Sequence, residues 1–161
     1  MPDYFLDTSA LAKLYHREVG SDVIEQIFQS PDSVLLISRL STIELHSVFA
    51  RRIRMGELEQ DGFELLRQGF FADIVARRLT VVRVTDEHFR AAQTLLIEHA
   101  TDRSLRTLDA LQLAVAVDLR ELGLLDRFVC SDIQLCSVAT LEGLSVMNPE
   151  VPHSEPETHE P

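Results

Sequence analysis

Residues 5–15 read FLDTSALAKLY, a short apolar run that ends at Asp7 and continues into a helix-favouring stretch. We predict a β-strand over Tyr4–Leu6 and a helix from Ser9 to Glu18, because Gly20 interrupts the helical pattern. A buried strand that leads directly into a helix is typical of α/β folds. Asp7 would then lie at the carboxyl end of a strand, where such folds bind their ligands.

The same alternation of strands and helices continues along the chain. Further strands are predicted at Val34–Ile37, Leu79–Val84, Phe128–Cys130 and Leu144–Met147. Further helices are predicted from Ser21 onward and over Ser41–Arg52, Gln60–Arg78, Asp86–Ala100, Leu105–Leu122 and Asp132–Leu141. The pattern favours an α/β domain over residues 1–149, with a mainly parallel sheet of about five strands covered on both faces. Residues 150–161, EVPHSEPETHEP, are expected to be a disordered acidic tail rich in Pro and Glu.

Composition restricts how this protein can bind nucleic acid. The net charge is −11, and because the tail supplies four glutamates and no Lys or Arg, residues 1–149 carry −7. Such a chain lacks the overall basic field of many nucleic-acid-binding proteins, so any phosphate binding must come from local arginines or from metal ions.

Location is inferred from features that the sequence lacks. The longest apolar run, Leu113–Val117, is too short for a membrane span, and no secretory signal is expected at the N-terminus. Cys130 and Cys136 are too few for a disulfide framework. We therefore expect a cytoplasmic protein without a membrane partner.

Four acidic residues stand out as candidates for a catalytic and metal-binding site: Asp7, Glu44, Asp109 and Asp132. Each also has a purely structural explanation. Asp7 and Asp132 could cap helices, Glu44 could complete a capping box with Ser41, and Asp109 could interact with a helix dipole.

Two features favour the functional interpretation. The helix around Asp109, TLDALQLAVAV, is apolar on nearly every face, so the Asp109 carboxylate needs a partner. Gln112 lies on the same narrow polar strip of this helix, three residues after Asp109. Asp7 and Asp132 both follow predicted strands. Carboxylates that converge there repel one another unless a cation joins them, and a hard divalent ion suits oxygen ligands.

Four segments together resemble the PIN domain, and most closely its VapC-like branch of toxins. They are FLDTSALAKLY, the SxxEL motif at 41–45, LRTLDALQLAVA at 105–116 and FVCSDIQLCSVATLEGLSVMNP at 128–149. The resemblance spans about residues 3–149 and implies a three-layer α/β/α fold. By motif, Asp7, Glu44, Asp109 and Asp132 match the family acids in order, and Ser9 matches a hydroxyl beside the metal.

The resemblance also implies an activity and partners. It implies a Mg²⁺- or Mn²⁺-dependent endoribonuclease, with Asp7 and Asp109 as the firmest ligands and a metal-activated water as the nucleophile. The products would carry a 5′-phosphate and a 3′-hydroxyl. A homodimer and a cognate antitoxin are implied as well, as in type II toxin–antitoxin pairs. The alternative is a stand-alone or non-cleaving PIN-fold module that binds RNA or a partner.

Several other residues remain open on sequence alone. Arg106 could contact RNA or pair with a site acid. Arg51, Arg52 and Arg54 could bind phosphates or complement a helix dipole. Three phenylalanines could belong to the core or to a partner groove: Phe63, Phe70 and Phe71.

Two other enzyme or signalling families are disfavoured. A haloacid dehalogenase would need an aspartate where Ser9 stands. A receiver domain would need a late lysine, whereas Lys13 is the only lysine in the chain.

Overall fold

A computed structural model describes residues 2–151 of the chain. Residues 152–161 lie outside the described residues, and with them most of the segment that we expect to be a disordered tail. The described chain contains twelve helices and strands in an alternating α/β order.

The sheet has five parallel strands: β1 (Asp3–Leu6), β2 (Val34–Ser38), β3 (Thr80–Val82), β4 (Arg127–Val129) and β5 (Val146–Met147). Seven helices connect and cover them: α1 (Thr8–Tyr15), α2 (Ser21–Gln29), α3 (Ser41–Arg54), α4 (Gln60–Val75), α5 (Asp86–His99), α6 (Thr107–Glu121) and α7 (Ile133–Leu141). All predicted strands and helices are confirmed, with ends that differ by a few residues.

The strand order is β3-β2-β1-β4-β5, so β1 lies at the centre of the sheet. Phe5 of β1 is in register with Leu36 of β2 on one side and with Phe128 of β4 on the other. The chain first builds outward through β2 and β3, and then continues on the other side of β1. This reversal opens a crevice at the carboxyl ends of β1 and β4, which is where open α/β sheets bind ligands.

Alternating strand residues supply both faces of the core. Leu6, Ile37 and Val129 pack among residues of α1 to α4, whereas Phe5 and Phe128 pack among residues of α5 to α7. A strand that is buried on both faces needs apolar residues at consecutive positions, not only at every second position. This explains the continuous apolar runs of these strands. The arrangement confirms the three-layer α/β/α fold.

Helix α6 has the longest uninterrupted run of buried residues among the described helices, as its apolar sequence predicts. Every residue from 110 to 116 is buried, and Gln112 is the only polar residue among them. The carboxylate of Asp109 is thereby fixed at the start of a helix that has little freedom to move.

Three local features go beyond the sequence prediction. α4 ends at Val75 rather than at Arg78, and Arg77 takes a left-handed conformation (φ 58°) before β3 begins. Cys130 and Cys136 form a disulfide across the start of α7, although two cysteines make no framework.

The phenylalanine cluster is divided between core and surface. Phe70 is fully buried, Phe63 packs against the core, and Phe71 remains 44% exposed. No helix within residues 2–151 has the length and apolar character that crossing a bilayer requires.

Candidate active site

All four predicted acids line one pocket at the carboxyl end of the sheet. The pocket has a volume of about 680 Å³ and includes Asp7, Glu44, Asp109 and Asp132 in its lining. Asp7 follows β1 directly, Glu44 lies in the first turn of α3, Asp109 in the first turn of α6, and Asp132 immediately before α7. The structure therefore gathers residues that are up to 125 positions apart in the chain.

Asp7 caps helix α1 with one oxygen and leaves the other for the pocket. Its Oδ1 accepts hydrogen bonds from the Ala10 backbone N–H at 3.0 Å and from Ser9 Oγ at 2.7 Å. Ser9 Oγ in turn accepts a bond from the Ser131 N–H at 3.0 Å, which joins the strand ends of β1 and β4. Asp7 Oδ2 accepts no hydrogen bond from residues 2–151, so this oxygen is available to a ligand.

The carboxyl group of Asp7 is buried and holds its proton unusually well. Burial raises the pKa of Asp7 to about 7, although the hydrogen bonds from Ser9 and Ala10 act in the opposite direction. The charge of Asp109 raises the pKa further. A bound cation would favour the ionised form of this carboxyl group, which its surroundings otherwise disfavour.

Glu44 is fixed by side chains from two other helices rather than by its own helix. Its Oε2 accepts bonds from Thr8 Oγ1 at 2.7 Å and from Gln112 Nε2 at 2.6 Å. The capping-box alternative is wrong, because the Ser41 N–H instead contacts Ser38 Oγ at 3.4 Å. Gln112 Oε1 is buried and finds no partner within the described chain.

Arg106 bridges the two remaining acids. Its Nε donates to Asp109 Oδ2 at 2.8 Å, and its Nη2 lies 3.5 Å from Asp132 Oδ2. Asp132 Oδ1 caps α7 by accepting from the N–H groups of Gln134 and Leu135. The Arg106 side chain is 73% exposed, so it can leave the acids without disturbing the core.

Four helix N-termini point into this pocket, those of α1, α3, α6 and α7. Asp7 and Asp132 cap two of them, and Glu44 and Asp109 lie in the first turns of the others. The positive ends of the helix dipoles explain how the fold tolerates several carboxylates in one place. The same ends attract a phosphate group.

The carboxylates are spread across the pocket rather than packed into one tight cluster. In the described chain, three His, Cys, Asp or Glu ligand atoms lie within 4.8 Å of one another only at Glu98, His99 and Glu142, which are elsewhere on the surface.

The structure adds three residues that the sequence did not assign to the site, and it brings to the pocket two arginines that the sequence left open. Thr8 and Gln112 orient Glu44, and Ser47, Arg51 and Arg54 line the pocket. A buried glutamine on an otherwise apolar helix is a signal that sequence can supply. Thr8 carries no such signal, because a threonine after Asp7 also suits the start of a helix.

Comparison with solved structures shows the same fold. The chain is similar to VapC20 from Mycobacterium tuberculosis, with a TM-score of 0.63 and 20% identity over 83% of this chain and 93% of that chain. It is similar to VapBC2 from Rickettsia felis, with a TM-score of 0.60 and 14% identity over 91% of this chain and 98% of that chain. FitAcB from Neisseria gonorrhoeae gives a TM-score of 0.58 and 14% identity over 91% of this chain and 97% of that chain.

Sequence comparison identifies the family. None of the curated proteins matches the chain. The family model of the PIN domain matches residues 4–128, which run from within β1 to within β4 and contain three of the four site acids. The chain therefore belongs to the PIN domain family.

Proposed function

We propose that this protein is a Mg²⁺- or Mn²⁺-dependent endoribonuclease and the toxin of a type II toxin–antitoxin pair in the cytoplasm. The observation that carries the proposal is the convergence of Asp7, Glu44, Asp109 and Asp132 on one pocket at the crevice of the sheet. Membership of the PIN domain family agrees with nuclease chemistry at this position.

The residues of the pocket fit a hard divalent ion. Asp7 and Asp109 would hold it directly, and Glu44 and Asp132 directly or through water. All four offer oxygen, and Asp7 Oδ2 is not engaged by any hydrogen bond in the described chain. Mg²⁺ retains several waters and uses few carboxylates, which agrees with a pocket where, within the described residues, no three acids form a tight group. When bound, the ion would lower the pKa of a coordinated water, and its own positive charge would lie beside the phosphate.

The other side chains position these groups. Ser9 orients the Asp7 carboxylate, and Thr8 and Gln112 fix Glu44. Arg106 lies over Asp109 and is largely exposed, so its guanidinium can contact a non-bridging phosphate oxygen. The helix N-termini around the pocket add to the attraction for that phosphate.

Similar proteins support an RNA substrate and an antitoxin. VapC20 is described as a sarcin-ricin loop cleaving toxin, and VapBC2 was crystallised with a DNA fragment from its promoter. A basic segment of an antitoxin would complement the acidic pocket. We also propose a homodimer, for which light scattering in solution should give twice the chain mass of 18.2 kDa.

Metal-dependent cleavage of labelled RNA tests the proposal. Purified protein with Mn²⁺ should cut the RNA, leaving 5′-phosphate ends, and EDTA should stop the reaction. Asp7→Asn should lower the rate by at least about 100-fold, because it removes a metal ligand. Asp32→Asn is the matched control, since Asp32 is exposed at the opposite end of the sheet and should retain the wild-type rate.

Two outcomes would contradict the proposed enzymatic function. If Asp7→Asn protein cuts RNA at the wild-type rate, Asp7 is not part of the catalytic site. Retention of intact RNA without metal-dependent cleavage would instead favour a binding module with the same fold.

A further inference from the structure

The arginines near the end of α3 differ in their surroundings. Arg52 is 19% exposed and forms ion pairs with Glu18 and with Glu57, the latter at 2.9 Å. Arg51 and Arg54 are exposed, line the acidic pocket and form no ion pair with any residue from 2 to 151. All three arginines could complement the helix dipole, so the dipole does not explain why their surroundings differ.

One stripe of α3 faces the pocket. Glu44, Arg51 and Arg54, with the adjacent pair Ser47 and Val48 between them, recur every three or four positions, the spacing of one helical face, and all line the pocket. At 1.5 Å per residue, Arg51 lies about 10 Å and Arg54 about 15 Å along the helix from Glu44. The stripe thus runs from the acid site to two free guanidinium groups.

These distances exceed the size of a single nucleotide. Stacked nucleotides advance by about 3.4 Å each along a strand, so about 10–15 Å corresponds to a few nucleotides beyond the phosphate at the acids. Arg51 and Arg54 also supply local positive charge in a protein whose net charge is −11. Guanidinium groups bind phosphates through paired hydrogen bonds, which suits contacts to a backbone.

We propose that α3 guides the substrate strand, with Arg51 and Arg54 binding phosphates that flank the scissile one. The inference rests on the proposed ribonuclease function and narrows its substrate to an RNA that contacts the protein over several nucleotides. Arg52 has no part in this contact, because its charge is satisfied within the fold by Glu18 and Glu57.

Binding measured without cleavage tests the proposal. A fluorescein-labelled single-stranded oligouridylate of about 12 nucleotides is titrated with full-length protein in EDTA, and anisotropy is followed as salt rises. Arg51→Gln and Arg54→Gln should each weaken binding by about fivefold, and each should reduce the slope of log K against log salt by about 0.7. Arg51→Lys should recover most of the slope, because it keeps the charge.

Two control variants separate this role from a structural one. Arg90→Gln, on an exposed part of α5 away from the pocket, should leave both affinity and slope unchanged. Arg52→Gln should lower the melting temperature but leave the slope unchanged. A purely structural role for Arg51 and Arg54 would instead change their melting temperatures and leave both slopes at the wild-type value.

A small substrate distinguishes failure of this inference from failure of the proposed function. Bis(p-nitrophenyl) phosphate has one phosphodiester and no flanking phosphates, so the Arg51→Gln/Arg54→Gln double variant should lose at least about tenfold more of its rate on RNA than on this small substrate with Mn²⁺. Arginine-dependent RNA binding without hydrolysis of either substrate would support the strand contact and refute the nuclease. A double variant with wild-type affinity and slope, or wild-type protein without salt-dependent RNA binding, would overturn the inference.

Discussion

If Asp7 holds the proposed metal ion, it has two tasks whose electrostatic requirements conflict. As a helix cap it needs only an acceptor oxygen, which it supplies through Oδ1 to the Ala10 N–H. As the proposed metal ligand it would have to be ionised, yet burial raises its pKa to about 7. The buried Asp7 carboxyl group is therefore expected to lower stability at pH values above its raised pKa when no cation is present.

Replacing this carboxyl group should reveal that conflict as a pH dependence. Because the folded-state pKa is raised, stability associated with Asp7 is fully present below about pH 4 and is lost as pH rises through about 7. Asp7→Asn keeps a good cap without the charge, so in EDTA at pH 8 it should be more stable than wild type by about 2–4 kcal/mol. The difference should shrink towards pH 4.5 in urea denaturation. Equal stability at pH 8 would show that Asp7 is not buried as described.

Gln112 is the residue that joins α6 to the acid on α3. Gln112→Leu would remove its 2.6 Å bond to Glu44, leaving this carboxylate with Thr8 alone. We expect cleavage to fall by about 10- to 100-fold, which is typical when the partner of a metal ligand is lost. Stability should fall by about 1–3 kcal/mol, because a polar partner is left unsatisfied. Gln93→Leu, on the exposed side of α5, should change neither quantity.

At the scale of elements, the segment after β5 is fixed against the start of α2. Gly20 precedes α2 with φ at 87°, and a Cβ placed there would lie 2.8 Å from the carbonyl oxygen of Pro149. Lys13 is buried and pairs with Glu18 and Glu150, so charge contacts fix the same junction. The last described residues are therefore part of the folded domain.

A pair of glycine substitutions measures this close approach. Gly20→Ala combines a left-handed backbone with a clash against backbone atoms, so it should lower the free energy of unfolding by about 2–4 kcal/mol. Gly123→Ala has a similar φ of 72° but nothing within 4 Å of the added Cβ, so only about 1 kcal/mol should be lost. Equal losses in guanidinium denaturation would argue against the contact with Pro149.

At the scale of the whole molecule, the fold brings acids together in a chain whose net charge is already −11. The unfolded chain keeps these carboxylates far apart, so a divalent ion should bind the folded state preferentially. The proposed metal site therefore couples ligand binding to the stability of the entire domain.

Thermal unfolding with increasing Mg²⁺ tests this coupling. Wild-type protein should gain about 2.7 kcal/mol when Mg²⁺ is present at 100 times its dissociation constant, and EDTA should remove the gain. Asp7→Asn should lose most of the response. Glu142→Gln disrupts the separate group of Glu98, His99 and Glu142, and it should respond as wild type does. If this control alone lost the response, the ion would be bound at the other group.

The sequence by itself determined the alternation of strands and helices and predicted the four acids that line the pocket. Continuous apolar runs indicate strands that are buried on both faces of the sheet. The order of the four motifs indicates the resemblance to the PIN domain family. These are local properties, which depend on neighbours along the chain.

Only the tertiary structure decided which groups meet. The contact between Glu44 and Gln112 joins residues 68 positions apart, and the capping-box pattern at Ser41 predicted a different partner. Two adjacent arginines likewise lie in different surroundings. Arg52 forms an ion pair with Glu18 within the fold, whereas Arg51 lines the pocket. The physical reason is that strand order and helix packing fix long-range distances, and electrostatic and hydrogen-bond energies depend on those distances rather than on separation along the chain.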